Sequence, residues 1–140
     1  MRTTMAKKRR KVSLKNPNSM TWRIKADNAW KDAPGSTVCE ICLQGGTVHS
    51  CQIHNHHLIS RTNLRYRHDL KNRIRLCSQH HTMGQYRVLR VAHGDLEQVR
   101  QFRLWLAKHK PEQYKWWCDH RDDKRPRTET YQESFERIKK

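Results

Sequence analysis

The sequence lacks any apolar run long enough to cross a membrane. None of its stretches approaches the ~18–20 consecutive apolar side chains that a span requires. The basic N-terminus, MRTTMAKKRRKV, is not followed by the apolar segment of a secretory signal. We therefore expect no membrane partner and a cytoplasmic protein. In such a reducing compartment, cysteines bind metals more often than they form disulfides.

Apolar side chains are scarce throughout the chain. Only 34% of the 140 residues are hydrophobic, and the mean hydropathy is −1.12. The length suits one compact domain with a small appendage. Because small domains with so little apolar material usually need disulfides or a structural metal, the composition predicts such a staple.

Acidic side chains are also few. Lysine and arginine number 30 against 13 aspartates and glutamates, which gives a net charge of +17. Residues 95–140 hold 12 basic and 9 acidic side chains, so +14 of this charge lies in residues 1–94. This excess predicts a polyanionic partner, most often nucleic acid. Residues 1–18, which include KKRRK, are expected to form a flexible basic arm that contacts phosphates.

The remaining sequence predicts an α+β fold with helices on both sides of a small core. A helix is expected from Ser19 to about Trp30. Two short strands around a Gly45-Gly46 turn are expected between Cys39 and Ile59. Residues 60–75 are predicted to be a basic loop, and a helix is expected to begin after Cys77.

The C-terminal third reads as helical. Asp95 is a predicted N-cap, Pro111 suits the first turn of a further helix, and Thr130-x-x-Glu133 has the spacing of a capping box. These patterns divide the chain into a basic arm (1–18), a core (19–93) and a helical extension (94–140).

Two half-sites of matched spacing predict the staple. Each consists of two ligand residues separated by two others, as in a zinc knuckle, and together they form a Cys3His set: Cys39, Cys42, Cys77 and His80. Two alternatives stay open: Cys51 or His49 as a ligand, and a redox role for Cys-x-x-Cys. If the four residues bind zinc, Cys51 and Cys118 are expected to be buried as small apolar side chains.

Histidines are doubled at His56-His57 and at His80-His81. Neighbouring side chains diverge by ~100° on a helix and point to opposite faces of a strand. His81 can therefore face away from a zinc that His80 binds. A divalent ion held by two histidines keeps open positions for phosphate and water. His54 shares the strand face of His56 and is a reserve ligand.

The order of these residues resembles the zinc-containing HNH endonucleases, whose fold is called ββα-metal. The resemblance covers about residues 20–85 and rests on Cys39-x-x-Cys42, His56-His57-Leu58-Ile59, Asn72 and Leu76-Cys77-x-x-His80-His81. The family usually has a cysteine where His80 stands. Because imidazole also ligates zinc, we expect the site to persist. The downstream helices resemble, less specifically, the tails of phage HNH proteins, and a phage protein would act in the host-cell cytoplasm.

The resemblance implies a role for each matched position. His56 and His81 would hold a catalytic divalent ion such as Mg²⁺ or Mn²⁺, His57 would be the general base, and Asn72 would orient His57 and hold the loop in shape. The substrate would be double-stranded DNA, cut to leave 5′-phosphate and 3′-hydroxyl ends. Candidate phosphate contacts are Arg61, Arg65, Arg67, Lys71 and Arg73.

Two other functions fit the same residues. A zinc-stapled DNA-binding module would keep the cysteine set and the basic surface without catalysis. A nuclease selective for branched recombination intermediates is the second, because HHLISRTNLRYRHDLKN is similar to a segment of phage recombination nucleases.

Overall fold

A computed structural model describes residues 15–45, 52–83 and 96–140 of the chain. The protein is α+β, with helices and one two-stranded sheet in the described part. None of the described helices combines the length and apolarity needed to cross a membrane. Several predicted features lie outside the described residues: most of the basic arm, Gly46, Cys51 and the N-cap Asp95.

The chain divides into two compact units. One consists of Met1–Ala33 with Thr128–Lys140, and the other of Pro34–Arg127. The division differs from the predicted boundaries because residues 15–33 and 128–140 belong to one unit, which sequence order does not reveal. The backbone N–H of Gln132, for example, donates to the carbonyl of Pro17 at 3.0 Å.

The terminal unit is a pair of helices, α1 (Met20–Asp32) and α5 (Tyr131–Lys139). Ser19 caps α1 through a hydrogen bond from the Trp22 N–H. Thr130 and Glu133 form the predicted capping box of α5, with both reciprocal bonds present. Both helix starts are confirmed.

In its described part, the central unit contains the sheet and five helical elements around it. Its elements are, in chain order, α2 (Glu40–Gly45), β1 (Ile53–His57), a 3-10 turn (Leu70–Asn72), β2 (Arg73–Cys77), a π-helical turn (Gln79–Met83), α3 (Leu96–His109) and α4 (Pro111–His120). The predicted Pro111 at the start of α4 is confirmed.

β1 and β2 pair antiparallel, with His54 opposite Leu76 and His56 opposite Ile74. Ile74 and Leu76 are fully buried, in one cluster with the cysteines of the staple. Phe102 of α3 packs against this cluster. Because opposed residues share a face of the sheet, His54 and His56 lie on the face that carries the core.

Two secondary-structure predictions in this unit are wrong. The first predicted strand is a helix, α2, which places Cys39 and Cys42 one turn apart. The predicted loop 60–75 ends in β2. β2 includes Arg73 and Arg75, two residues of the predicted basic loop. Their guanidinium groups donate to the carbonyl oxygens of Pro34 and Ser36. Because the charged ends are hydrogen-bonded, they do not disfavour the strand.

Candidate functional site

The four residues of the predicted staple come together in a buried cluster that can hold a metal ion such as zinc. Their exposed fractions are between 1 and 7%. One ligand atom from each residue lies within 4.8 Å of all the others: Cys39, Cys42, Cys77 and His80. Cys39 directly precedes α2 and Cys42 lies in it, whereas the end of β2 and the following π-helical turn supply Cys77 and His80.

The distances in the cluster fit a tetrahedral zinc. Ligand bonds of about 2.3 Å to sulfur and 2.0 Å to nitrogen place sulfurs about 3.8 Å apart and a sulfur about 3.5 Å from a nitrogen. The Cys42 and Cys77 sulfurs are 3.8 Å apart. His80 Nδ1 lies 3.3 Å from the sulfurs of Cys39 and Cys77, and 3.4 Å from that of Cys42.

The thiols of this cluster have strongly divergent acidities. Burial raises the pKa of Cys39, but the contact with His80 and the N–H groups around the sulfur outweigh it and lower the pKa. Burial raises the pKa of Cys77, and the adjacent Cys39 thiolate adds to the increase. Three thiolates so close together repel one another unless a cation lies between them. Together with the imidazole of His80 they form the donor set of a structural zinc.

Cys118, predicted to be buried, is exposed, because it lies on an outer face of α4.

A second set of side chains forms an open cleft of about 620 Å³. Asn55, His56, His57, Leu58, Ser60, Arg61 and His81 line this cleft. His81 follows His80 directly but points away from the cysteine cluster, as predicted from the divergence of neighbouring side chains. His56 Nδ1 and His81 Nε2 are 3.2 Å apart. Two nitrogens that ligate one ion at about 2.0–2.1 Å are about 2.9–3.4 Å apart, so this pair fits a metal.

His56 is uncharged at neutral pH. Burial, followed by the neighbouring His81 and His57, lowers the pKa of His56 to about 4. A neutral imidazole has the lone pair that a metal ligand needs.

His57 faces a different partner. Its Nε2–H donates to the carbonyl oxygen of Arg67 at 3.0 Å. The proton on Nε2 leaves Nδ1 of the neutral ring as the proton acceptor. This arrangement suits a general base, since one nitrogen is held by a carbonyl and the other carries the lone pair that accepts a proton.

Asn72 is completely buried and organises the loop between the strands. Its Oδ1 accepts from the Ile59 N–H at 2.6 Å, and its Nδ2 donates to the carbonyls of Ile59 and Tyr66, each at 3.0 Å. It therefore fastens the segment that carries Arg61 on both sides, at Ile59 and at Tyr66, and the second contact directly precedes Arg67. Its predicted effect on His57 would act through this segment, because Arg67 supplies the bond to His57.

The five predicted phosphate contacts do not form one surface. Arg61 is exposed and lines the histidine cleft. Arg67 donates to the Arg61 carbonyl, and Arg65 donates to the carbonyl of Pro126. Lys71 and Arg73 line a separate cleft of about 400 Å³ with Glu40 and Lys110 of the same unit. Of the five candidates, Arg61 is thus the one that lines the histidine cleft.

Two contributors were not assigned a role from the sequence. The Arg67 carbonyl is a backbone atom, and no side-chain pattern reveals it. Asp123 accepts from the Tyr66 hydroxyl and from Arg125. The first of these bonds fixes the loop between β1 and β2 at Tyr66. The Arg125 guanidinium and the Tyr66 hydroxyl hold the pKa of the Asp123 carboxyl well below its usual range.

His54, predicted only as a reserve ligand, lies close to His81: its Nδ1 is 2.9 Å from His81 Nδ1.

Comparison with known proteins gives no match for this chain, either among family models, among curated proteins or among solved structures.

Proposed function

We propose that the protein is a metal-dependent DNA endonuclease of the HNH type. In this proposal its central unit is a ββα-metal core built by β1, β2 and the helical turn after β2. The observation that carries the proposal is the approach of His56 Nδ1 to His81 Nε2 at 3.2 Å, in the same cleft as His57. The cleft is open, as a catalytic site must be, whereas the cysteine cluster is closed.

His56 and His81 would hold a divalent ion such as Mg²⁺ or Mn²⁺. When bound, the ion supplies charge neutralisation at the scissile phosphate and at the leaving oxygen. His57 Nδ1 would take the proton of the attacking water, since Nε2 is held by Arg67. Arg61 lines the same cleft and would contact a phosphate oxygen. The cysteine cluster would hold structural zinc and so fix the backbone next to His81.

The charge of the chain supports DNA as the substrate. A net charge of +17 favours a polyanion, and phosphate contacts contribute a large part of the affinity for DNA. The cleft of about 620 Å³ is wide enough to admit a phosphate group and its sugar neighbours.

A plasmid-nicking assay tests the proposal. Zinc-loaded protein should convert supercoiled plasmid to nicked or linear forms with Mg²⁺ or Mn²⁺, and EDTA added just before the reaction should stop it. His57→Ala should remove the activity. His109→Ala is the matched control, because His109 lies on α3 outside the cleft lining and contacts Trp105.

The result also separates the alternatives. DNA binding by wild-type protein without cleavage, across several divalent metals, would contradict the endonuclease and support a zinc-stapled binding module. If cleavage occurs, its rate on linear, nicked, flapped and four-way DNA decides whether branched DNA is preferred.

A further inference from the structure

His81 uses both of its ring nitrogens. Nε2 lies 3.2 Å from His56 Nδ1, and Nδ1 lies 2.9 Å from His54 Nδ1. Its ring stands edge-on to both neighbours, with centroids 5.1 Å from each. His81 is therefore seated between two histidines of the same strand face.

One ion cannot take all three histidines in this arrangement. The two nitrogens of an imidazole direct their lone pairs away from each other, so an ion on Nε2 has no access to Nδ1 of the same ring. The ion must therefore lie either between His81 and His56 or between His81 and His54. The open cleft decides between them, because its lining includes His56 and His81 together with His57 and Arg61, and does not include His54.

The protonation of His81 then follows. A nitrogen that ligates a metal carries no proton, so metal on Nε2 places the single proton of neutral His81 on Nδ1. The only role left for a nitrogen 2.9 Å away is to accept that proton in a hydrogen bond. His54 would accept through Nδ1 and carry its own proton on Nε2.

We propose that His54 is a positioning residue for the metal site: its Nδ1 accepts the Nδ1–H of His81 and so holds His81 in the tautomer that presents Nε2 to the ion. The inference rests on the proposed function only for the metal that His56 and His81 bind. Outer partners of ligating histidines fix the ring and raise its basicity, and a neutral imidazole in this role replaces the more usual carboxylate or carbonyl.

Register explains why His54 can do this. His54 and His56 are two residues apart on β1, so their side chains leave the same face of the sheet. They are paired with Leu76 and Ile74 of β2, both of which are fully buried. The contacts of the two rings with His81 direct them toward the turn that carries it.

Two substitutions at His54 separate an acceptor from a space-filling side chain. His54→Asn retains an acceptor, since Asn Oδ1 occupies roughly the position of His Nδ1. His54→Phe retains a planar ring and removes the acceptor. The probe is Co²⁺ titrated into protein whose cysteine cluster is filled with zinc, which outcompetes cobalt there. Binding is read from cobalt absorption and from calorimetry.

His54→Phe should weaken Co²⁺ binding about 10–100-fold, the usual effect of losing such a partner, whereas His54→Asn should stay within about threefold of wild type. Zinc content and melting temperature should be the same in both variants. Equal Co²⁺ affinity in His54→Phe and wild type would overturn the inference. So would loss of binding in both His54 variants with binding retained in His56→Ala, since His54 would then be the ligand.

The readout is independent of nuclease activity. If Co²⁺ binds as expected but no variant, wild type included, cuts DNA, the proposed function fails and the role of His54 stands. If wild type cuts DNA and His54→Phe binds Co²⁺ normally, the role of His54 fails and the function stands.

Discussion

The cysteine cluster and the histidine cleft are built from adjacent residues, yet they have opposite designs. His80 is 7% exposed and completes a closed set of four donors. His81, the next residue, is half-buried and lines an open cleft with His56. Three of the four donors in the first site are sulfurs, whereas imidazoles form the second. Closure with thiolates suits a structural ion, and openness with few ligands suits catalysis.

The doubled histidine contributes one imidazole to each of two neighbouring sets of side chains: His80 to the cysteine cluster and His81 to the histidine cleft. The π-helical turn Gln79–Met83 turns successive side chains in different directions. Any ion in the cysteine cluster would therefore hold the backbone that orients His81. Stability and catalysis are thus expected to separate at this single peptide bond.

The largest effect is expected from breaking the closed site. His80→Ala should release the zinc and unfold the central unit, because structural zinc contributes on the order of 10 kcal/mol or more of folding free energy. His80→Cys should retain zinc and folding, since thiolate can replace imidazole at a tetrahedral zinc. Zinc stoichiometry and thermal melting measure both variants. A folded, zinc-containing His80→Ala protein would show that the fourth ligand lies elsewhere.

His81→Ala should have the opposite profile. One tight zinc per chain and a near-wild-type melting temperature are expected, because His81 lies outside the cysteine cluster. Nicking should be lost or strongly reduced, and more divalent metal should restore part of it. Zinc analysis, melting and nicking rates are measured on one preparation. Loss of the tight zinc in His81→Ala would mean that the two neighbours have each other's roles.

His57→Ala tests the open site without touching His56 and His81, the proposed metal ligands. Turnover should fall by about 10²–10⁴-fold, the usual contribution of a general base. Zinc content and DNA affinity should stay close to wild type, because the base acts in the transition state. Single-turnover cleavage and DNA titration provide the two readouts. A His57→Ala enzyme within a few-fold of wild type would remove the assignment.

Asp123→Asn tests how much the contacts of Asp123 with Tyr66 and Arg125 stabilise the fold. The substitution replaces one carboxylate oxygen by an amide NH2 group, which cannot accept from Tyr66 or Arg125. The melting temperature should therefore fall by a few degrees at pH 7. The depressed pKa of Asp123 stabilises the fold above the ordinary aspartate pKa of about 3.9, and this contribution is lost as the pH falls further.

The difference in melting temperature between Asp123→Asn and wild type should therefore shrink below about pH 4. Asp122→Asn is the matched control, because its carboxylate is 90% exposed and its pair with Arg121 is a surface one. If both variants melt alike at pH 7, the Asp123 contacts contribute nothing to the fold.

The smallest effect concerns the basic arm, residues 1–18, whose removal should leave both sites unchanged. Binding to DNA should weaken with salt, with log K falling by about 0.9 per phosphate neutralised for each unit of log[salt]. Removing residues 1–15 should make this slope shallower without changing zinc content. An unchanged slope would show that the arm does not contact DNA.

Local sequence signals determined the helix starts and the ligand set. The Ser19 cap, Pro111 and the capping box at Thr130 act within a few residues, so their effect does not depend on the rest of the fold. The two half-sites of matched spacing likewise predicted which four side chains meet, and this prediction is confirmed. The separate directions of His80 and His81 also followed from local geometry.

Tertiary structure decided what depends on distant partners. Arg73 and Arg75 lie in a strand because carbonyls nearly forty residues earlier accept from them, which their own sequence could not indicate. The partner of His57 is a backbone carbonyl of a loop that Asn72 and Asp123 fasten. The approach of His54 to His81 required strand register together with a turn 27 residues later. Spacing in the sequence predicts which residues are ligands, but only the folded chain determines their hydrogen-bond partners.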